Sequence, residues 1–192
     1  MAQQQLALFD ASFLEDHAGM IMRDPRTAIV ELVANSWDAG ATRVEIDWPS
    51  FERPVFRIAD NGQGMTPEEF QRRWRTLNYQ RIKEQGAFTT LGDGTKRVVF
   101  GRNGKGRHGA FSFGEEYHIV TFREGVCTKC RVQRSTDAET PFRFEDLSTS
   151  FCEGDGTIIE VTDARVPRLA PAEVRELIGT RFFGRPSVYC HR

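Results

Sequence analysis

The chain has 192 residues, a formal net charge of −1 and 39% hydrophobic content, enough for one ordinary globular domain with a buried core. So balanced a charge gives no global electrostatic case for nucleic acid or an acidic membrane. Apolar runs fall far short of a membrane span, and Met1-Ala2-Gln3-Gln4-Gln5 lacks the basic start and long apolar core of a signal peptide, so a cytoplasmic protein with no membrane partner is expected.

Taken in chain order, Phe9 to Met22 is expected to be helical, with Phe13, Leu14 and Met20 available for packing. A second helix over 26–38 ends at Gly40, a suitable C-cap. Its Glu31, Asn35 and Asp38 stand at i, i+4 and i+7 and share one face. Ile29, Val30, Leu32, Val33, Ala34 and Trp37 cover most of the rest. A carboxylate and a carboxamide on so apolar a helix cost free energy unless a partner satisfies them, which points to a ligand or a metal ion. The plainer alternative is a solvated polar stripe on a surface helix.

Gly40-Ala-Thr leads into a strand, Arg43–Trp48, in which Val44 and Ile46 alternate with polar residues. Pro49 to Pro54 turns the chain, and Val55–Ala59 returns as a strand. Thr66-Pro67-Glu68-Glu69 opens a helix with an N-cap, a first-turn proline and acids at the positive dipole end. That helix is expected to run through Phe70, Trp74 and Leu77. Residues 79–97, polar and glycine-bearing, read as a mobile loop. Strands follow at 98–100, 117–122, 129–133, 141–144 and 157–161, and a last helix spans 171–179 with Val174, Leu177 and Ile178 on one side.

The four cysteines, Cys127, Cys130, Cys152 and Cys190, make no disulfide scaffold at this length. Cys127-x-x-Cys130 invites a zinc reading. However, no second closely spaced pair completes a knuckle, and the flanking residues read as strands joined by a turn at Arg123-Glu124-Gly125. Reduced, partly buried thiols are the expectation.

Two glycine-bearing segments carry chemistry. Asp60-Asn61-Gly62-Gln63-Gly64-Met65 follows the strand Val55–Ala59. Two glycines two apart let the backbone approach a flat ligand. A carboxylate at the strand end can accept from an amino group, worth about 1.5–3 kcal/mol when shielded from water. A plain Asp-Asn-Gly turn needs only Gly62, and a calcium loop needs acids at alternating positions that are missing here. The second segment, 101–109, joins Gly101, Gly104, Gly106 and Gly109 with Arg102, Lys105 and Arg107, a composition suited to cradling phosphate. Gly104-x-Gly106-x-x-Gly109 satisfies the dinucleotide fingerprint, with Glu124 as its acid, but leaves no room for the helix and strand that must intervene. Gly101-x4-Gly106 resembles a P-loop whose lysine and hydroxyl positions are Arg107 and His108, so the magnesium-binding hydroxyl is missing.

One template joins all three segments. The order Glu31-x3-Asn35-x2-Asp38-Ala39, Asp60-x-Gly62-x-Gly64-Met65, the 101–109 loop and Gly156-Thr157 resembles the GHKL ATPases, which include DNA gyrase, the ninety-kilodalton heat-shock chaperone, histidine kinases and MutL. Within that superfamily, the residues following Glu31 and Gly101 look closest to MORC-like and bacterial para-MORC members. The resemblance covers roughly residues 9–185.

The resemblance implies an α+β Bergerat fold, a two-layer α/β sandwich with a mixed, mainly antiparallel sheet and helices on one face. It implies Mg²⁺-dependent hydrolysis of ATP in a domain over 25–185, with a lid at about 79–100. Asp60, helped by water and Thr157, would take the adenine amino group; Gly64 and Met65 would line the adenine pocket, and Gly62 would be a further nucleotide-binding residue. Asn35 would bind Mg²⁺, Glu31 would polarise the attacking water, and Asp38 would add a supporting hydrogen bond beside the nucleotide. Gly104, Lys105, Gly106, Arg107, His108 and Gly109 would wrap the phosphates. Arg107 stands where relatives often carry lysine, a change that keeps phosphate affinity but alters geometry. His108 itself reads as a polar loop residue. A phosphoaccepting histidine kinase is disfavoured, because none of His17, His108, His118 and His191 sits in an obvious bundle helix.

The lysine that a following domain supplies in gyrase-like and MutL-like members has no place in this sequence. Residues 186–192 read as the start of a further strand, so the chain is expected to be the N-terminal part of a longer protein, with a downstream domain or partner. Nucleic acid contacts would belong to other domains. The expected whole is a nucleotide-gated dimerisation switch acting through an N-terminal arm, 1–24. A nucleotide-sensing module with negligible turnover is the alternative.

Overall fold

A computed structural model describes residues 23–76, 81–101, 106–135, 142–182 and 187–191. The expected helix at Phe9–Met22, nearly all of the 1–24 arm, Leu77, Gly104 and Lys105 lie outside them.

Helix α1 (Pro25–Asp38) starts where the sequence gives it every reason to. Asp24 accepts from the N–H groups of Arg26 and Thr27, both at 3.1 Å, and Pro25 occupies the first turn, where its missing N–H has no cost. The helix ends against Gly40 at φ +79°, the left-handed geometry of a glycine terminator. Ile29, Leu32 and Val33 are fully buried, each stabilising the fold by about 1.5–3 kcal/mol.

The main sheet has seven strands in the order β7-β6-β5-β8-β2-β1-β9. They are β1 (Arg43–Asp47), β2 (Phe56–Asp60), β5 (Glu116–Arg123), β6 (Val126–Arg134), β7 (Phe142–Phe151), β8 (Gly156–Val161) and β9 (Ser187–His191). Every neighbouring pair is antiparallel except β1–β9, so the sheet is mixed and mainly antiparallel, as expected. Val44, Ile46, Ile58, Ile119, Ile159 and Val132 join one core with α1 and α4 (Pro171–Arg181), which places the helices on one face. Phe56 and Phe113 stack at 3.8 Å, with Trp48 edge-on to both.

Three local readings change. The helix opened by Thr66 is α2 (Pro67–Arg73), with the full capping box, and it stops with Trp74 as its C-cap rather than continuing. The stretch 79–97, read as a loop, holds α3 (Arg81–Gln85) and the hairpin of β3 (Phe88–Thr90) and β4 (Lys96–Val98), so the strand expected at 98–100 lies two residues earlier. None of these short elements carries a buried period of its own; bonds between α1 and Arg81, Arg97 and the Val98 carbonyl hold α3 and β4, and β3 is held by β4 and Gln63. The strand expected at 141–144 extends over ten residues as β7, because β6 supplies a partner along its whole length. Among the described residues no helix is long and apolar enough to cross a membrane.

Cys127 and Cys130 pair with Phe122 and Ile119 across β5. Three residues apart on a strand, they point to opposite faces of the sheet and share no site.

Candidate functional site

Strand β2 ends at Asp60, between β1 and β8. Its Oδ2 accepts from the Ser36 hydroxyl of α1 at 2.9 Å, and its Oδ1 accepts from the Gly62 N–H at 2.9 Å. Thr157 stands opposite it in the β2–β8 register. Burial pushes the Asp60 carboxyl up to about 6, against the hydrogen bonds from Gly62, Ser36 and Thr157. The carboxylate is thus fixed in orientation, poorly hydrated and rich in acceptor capacity.

The glycines are required where the sequence places them. A Cβ on Gly62 would lie 2.9 Å from the Ala39 side chain, and Gly64 adopts φ +59°, where a Cβ would collide with the Phe122 carbonyl oxygen and lie 2.9 Å from that of Gly156. That turn aims the Met65 N–H at the Thr121 hydroxyl, 2.9 Å away. Thr121 in turn reaches the Gly156 carbonyl and the Thr157 hydroxyl, each at 3.3 Å. Thr121 was not singled out in the sequence, although a threonine at an inward position of strand 117–122 is the signal that marks it.

Beside Asp60 opens a cavity of about 130 Å³ lined by both helix and sheet, space of the order that admits one flat ring. Asn35, Asp38, Asp60, Gly64, Met65, Arg107 and Thr157, all expected at a site, line it together. Ser36, Gln63, Arg73, Trp74, Arg81 and Gln85 line it as well and were not anticipated. The last two come from α3, whose placement no periodicity in the sequence announced.

On α1 the three polar residues do share one side. Asn35 has a buried Nδ2 with no hydrogen-bond partner among the described residues, a cost that a ligand would remove. Glu31, one turn earlier and half-buried, has its carboxyl raised by burial and by the Asp38 charge, with Arg181 pulling the other way. It sits beside the cavity lining rather than in it.

The Asp38 carboxylate is occupied by the protein itself. Oδ1 accepts from the Phe100 N–H at 2.6 Å, Oδ2 from the Gly101 N–H at 2.9 Å, and Arg81 donates to the Asp38 carbonyl at 2.5 Å. The Trp37 indole donates to the Val98 carbonyl at 2.9 Å, and Arg97 lies over the Trp37 ring at 4.1 Å while donating to the Trp37 carbonyl. These contacts fasten 81–101 to the end of α1.

Beyond Gly101, residues Gly106–Ser112 form a 3-10 turn packed on α1. A Cβ on Gly106 would lie 2.6 Å from that of Glu31, and one on Gly109 would lie 3.2 Å from the Ala28 carbonyl. Neither glycine lines the cavity. His108, expected as a polar loop residue, is instead 4% exposed in an aromatic nest with Phe111, Tyr117 and Phe142. Burial and the Arg107 charge hold its imidazole well below the usual histidine range, so it is neutral, and it is not among the residues that line the cavity.

The donor set suits a hard cation that keeps most of its ligands from water and phosphate. Asn35 would offer its carboxamide oxygen to the cation, while its orphaned Nδ2 calls for an acceptor such as a phosphate oxygen, and Glu31 stands one turn away. Among the described residues no group of three or more His, Cys, Asp or Glu side chains forms a self-sufficient metal cage, and such an arrangement needs none.

Relatives share part of this frame. The MutL mismatch repair protein of Xanthomonas campestris pv. campestris is 48% identical over 52 residues, 27% of this chain and 8% of that protein. That of Agrobacterium fabrum is 44% identical over 54 residues, 28% of this chain and 9% of the relative. The mismatch repair protein PMS1 of Arabidopsis thaliana is 41% identical over 54 residues, 28% of this chain and 6% of its own length. The matched stretches thus span less than a tenth of those relatives. The model of the histidine kinase-, DNA gyrase B- and HSP90-like ATPases matches residues 22–153. That is well over half of the 192 residues, and the sheet, the cavity and the glycine turns agree with it: the chain belongs to this GHKL ATPase family.

Proposed function

We propose that this domain binds ATP with Mg²⁺ and hydrolyses it to ADP and phosphate. The observation that carries the reading is Asp60: a carboxylate fixed by Ser36 and Gly62 at one end of a ring-sized cavity, with an orphaned Asn35 amide on its wall. Adenine would donate its amino group to Asp60, over Gly64 and Met65. The phosphates would extend past Asn35 toward Arg107 and the 104–109 segment. Asn35 would hold Mg²⁺, which when bound neutralises phosphate charge and orients the triphosphate. Glu31 would accept a proton from water as the water oxygen attacks the terminal phosphorus. The bridging P–O bond then breaks, and its electron pair leaves with ADP. A raised carboxyl makes Glu31 a stronger base toward that water than a solvated glutamate.

A second reading is supported by the place of Glu31 behind the cavity lining: a nucleotide-sensing module with negligible turnover. Calorimetry with ATP and Mg²⁺, followed by a phosphate-release assay on the same sample, separates the two. Binding without release supports the sensor, and no binding overturns both. As a switch, the domain would dimerise with ATP through residues 1–24 in a larger cytoplasmic protein, with lid motion in 79–100. Its kinship within the family would be MORC-like, and DNA handling, chaperoning, signalling and phage defence are the processes that such a switch could serve.

A further inference from the structure

Arg107 lines the cavity, yet its guanidinium is gripped from behind: Nη1 donates to the Thr76 carbonyl at 3.1 Å and the Trp74 carbonyl at 3.5 Å, at the end of α2. The Trp74 indole, also on the cavity wall, donates to the Tyr117 hydroxyl at 3.2 Å. The Tyr117 oxygen lies 2.6 Å from His108 Nδ1. With Trp74 donating into the oxygen, the Tyr117 O–H is the group that turns to His108, so Nδ1 accepts and the proton of the neutral ring sits on Nε2. Tyr117 and His108 are 1% and 4% exposed, and Nε2 has no partner among the described residues. His108 adjoins Arg107 in the chain, which closes a circuit: Arg107 to Trp74 to Tyr117 to His108 and back along the backbone.

We propose that Tyr117 and His108 are positioning residues for the phosphate end of the nucleotide, acting through Trp74 and Arg107. This rests on the nucleotide reading of the cavity. The circuit ties three separate pieces, the end of α2, the 3-10 turn and β5, at one oxygen atom. Without that oxygen, Trp74 and His108 lose their common partner, and Arg107 is no longer held in one place relative to Asp60. Adenine recognition, seated on Asp60, Gly64 and Thr157, lies outside the circuit. The effect is therefore confined to ligands that carry phosphates.

The test is a comparison of ATP and adenosine affinities in the full 192-residue chain, in Tyr117→Phe and in His108→Phe. The second variant suits the aromatic nest and removes the acceptor. Each is expected to weaken ATP by about tenfold, the scale of a misplaced charged hydrogen bond, and to leave adenosine unchanged. Adding Arg107→Ala to Tyr117→Phe is expected to give little further loss. Equal weakening of both ligands, or none in either folded variant, overturns the proposal. Failure of the parent chain to bind either ligand would count instead against the nucleotide reading.

Discussion

Gly106 sits directly on Glu31: a Cβ at position 106 would come within 2.6 Å of the Glu31 Cβ and closer still to its Oε2. The turn proposed to meet phosphate and the carboxylate proposed to activate water are therefore packed against each other without room for one methyl group. Gly106→Ala is expected to displace one of the two and to destabilise the fold by about 1–3 kcal/mol. Phosphate release should drop at least tenfold, a change of about 1.4 kcal/mol in barrier, while adenosine still binds. A calorimetric titration beside a malachite-green assay would check this; parental turnover in the variant would detach Gly106 from the chemistry.

Glu31→Ala should keep ATP affinity and lose hydrolysis. Because burial and the Asp38 charge raise the Glu31 carboxyl above the ordinary value of 4.5, the active, ionised form is lost at a higher pH than for a solvated glutamate. The turnover rate should accordingly climb with pH through that raised value and level off above it. Equal phosphate release by variant and parent removes Glu31 from catalysis.

Asp60→Asn is expected to abolish ATP binding and, separately, to stabilise the unliganded fold at neutral pH. The folded carboxyl titrates at about 6 against 3.8 in the unfolded chain, so the native state holds the extra proton between those values. Stability linked to this group is fully present below 3.8 and is lost as pH rises through about 6, a loss of up to about 3 kcal/mol by pH 7. Thermal melts of parent and variant should differ at pH 7.5 and converge toward pH 4.5. A parent whose melting midpoint ignores this interval would show that Asp60 carries no such strain.

Asn35→Ala tests the cation. Chelation of Mg²⁺ from the parent and the substitution itself should each weaken ATP by tenfold or more, with chelation adding nothing to the variant. Adenosine, which lacks phosphates, should be indifferent to both, as isothermal titration can show. Strong residual Mg²⁺ dependence in Asn35→Ala would move the cation to other ligands.

The sequence revealed the site where local chemistry and site chemistry coincide. Glu31, Asn35 and Asp38 announce themselves as polar steps on a helix whose other residues are apolar, and the helix forms where Asp24, Pro25 and Gly40 end it. Gly64 is legible because its turn and its closeness to Phe122 admit no side chain. What stayed hidden depends on tertiary contact. Ser36 lies among hydrophobes and declares no purpose until Asp60 arrives from β2 to accept its hydrogen bond. Arg81 and Gln85 reach the cavity from a five-residue helix with no buried residue of its own. His108 misled because its neighbours in sequence are glycine and arginine, while its neighbours in space, Phe142 and Tyr117, come from strands beyond it.

Asp38 has a consequence for reading substitution data. Both of its oxygens serve backbone N–H groups of the chain, at Phe100 and Gly101. An asparagine offers a single acceptor oxygen, and its amide hydrogens would meet a second donor head-on. In a saturation-mutagenesis scan, position 38 would therefore be intolerant for a reason that already lies in the scaffold, apart from any contact to a ligand in the cavity that Asp38 lines.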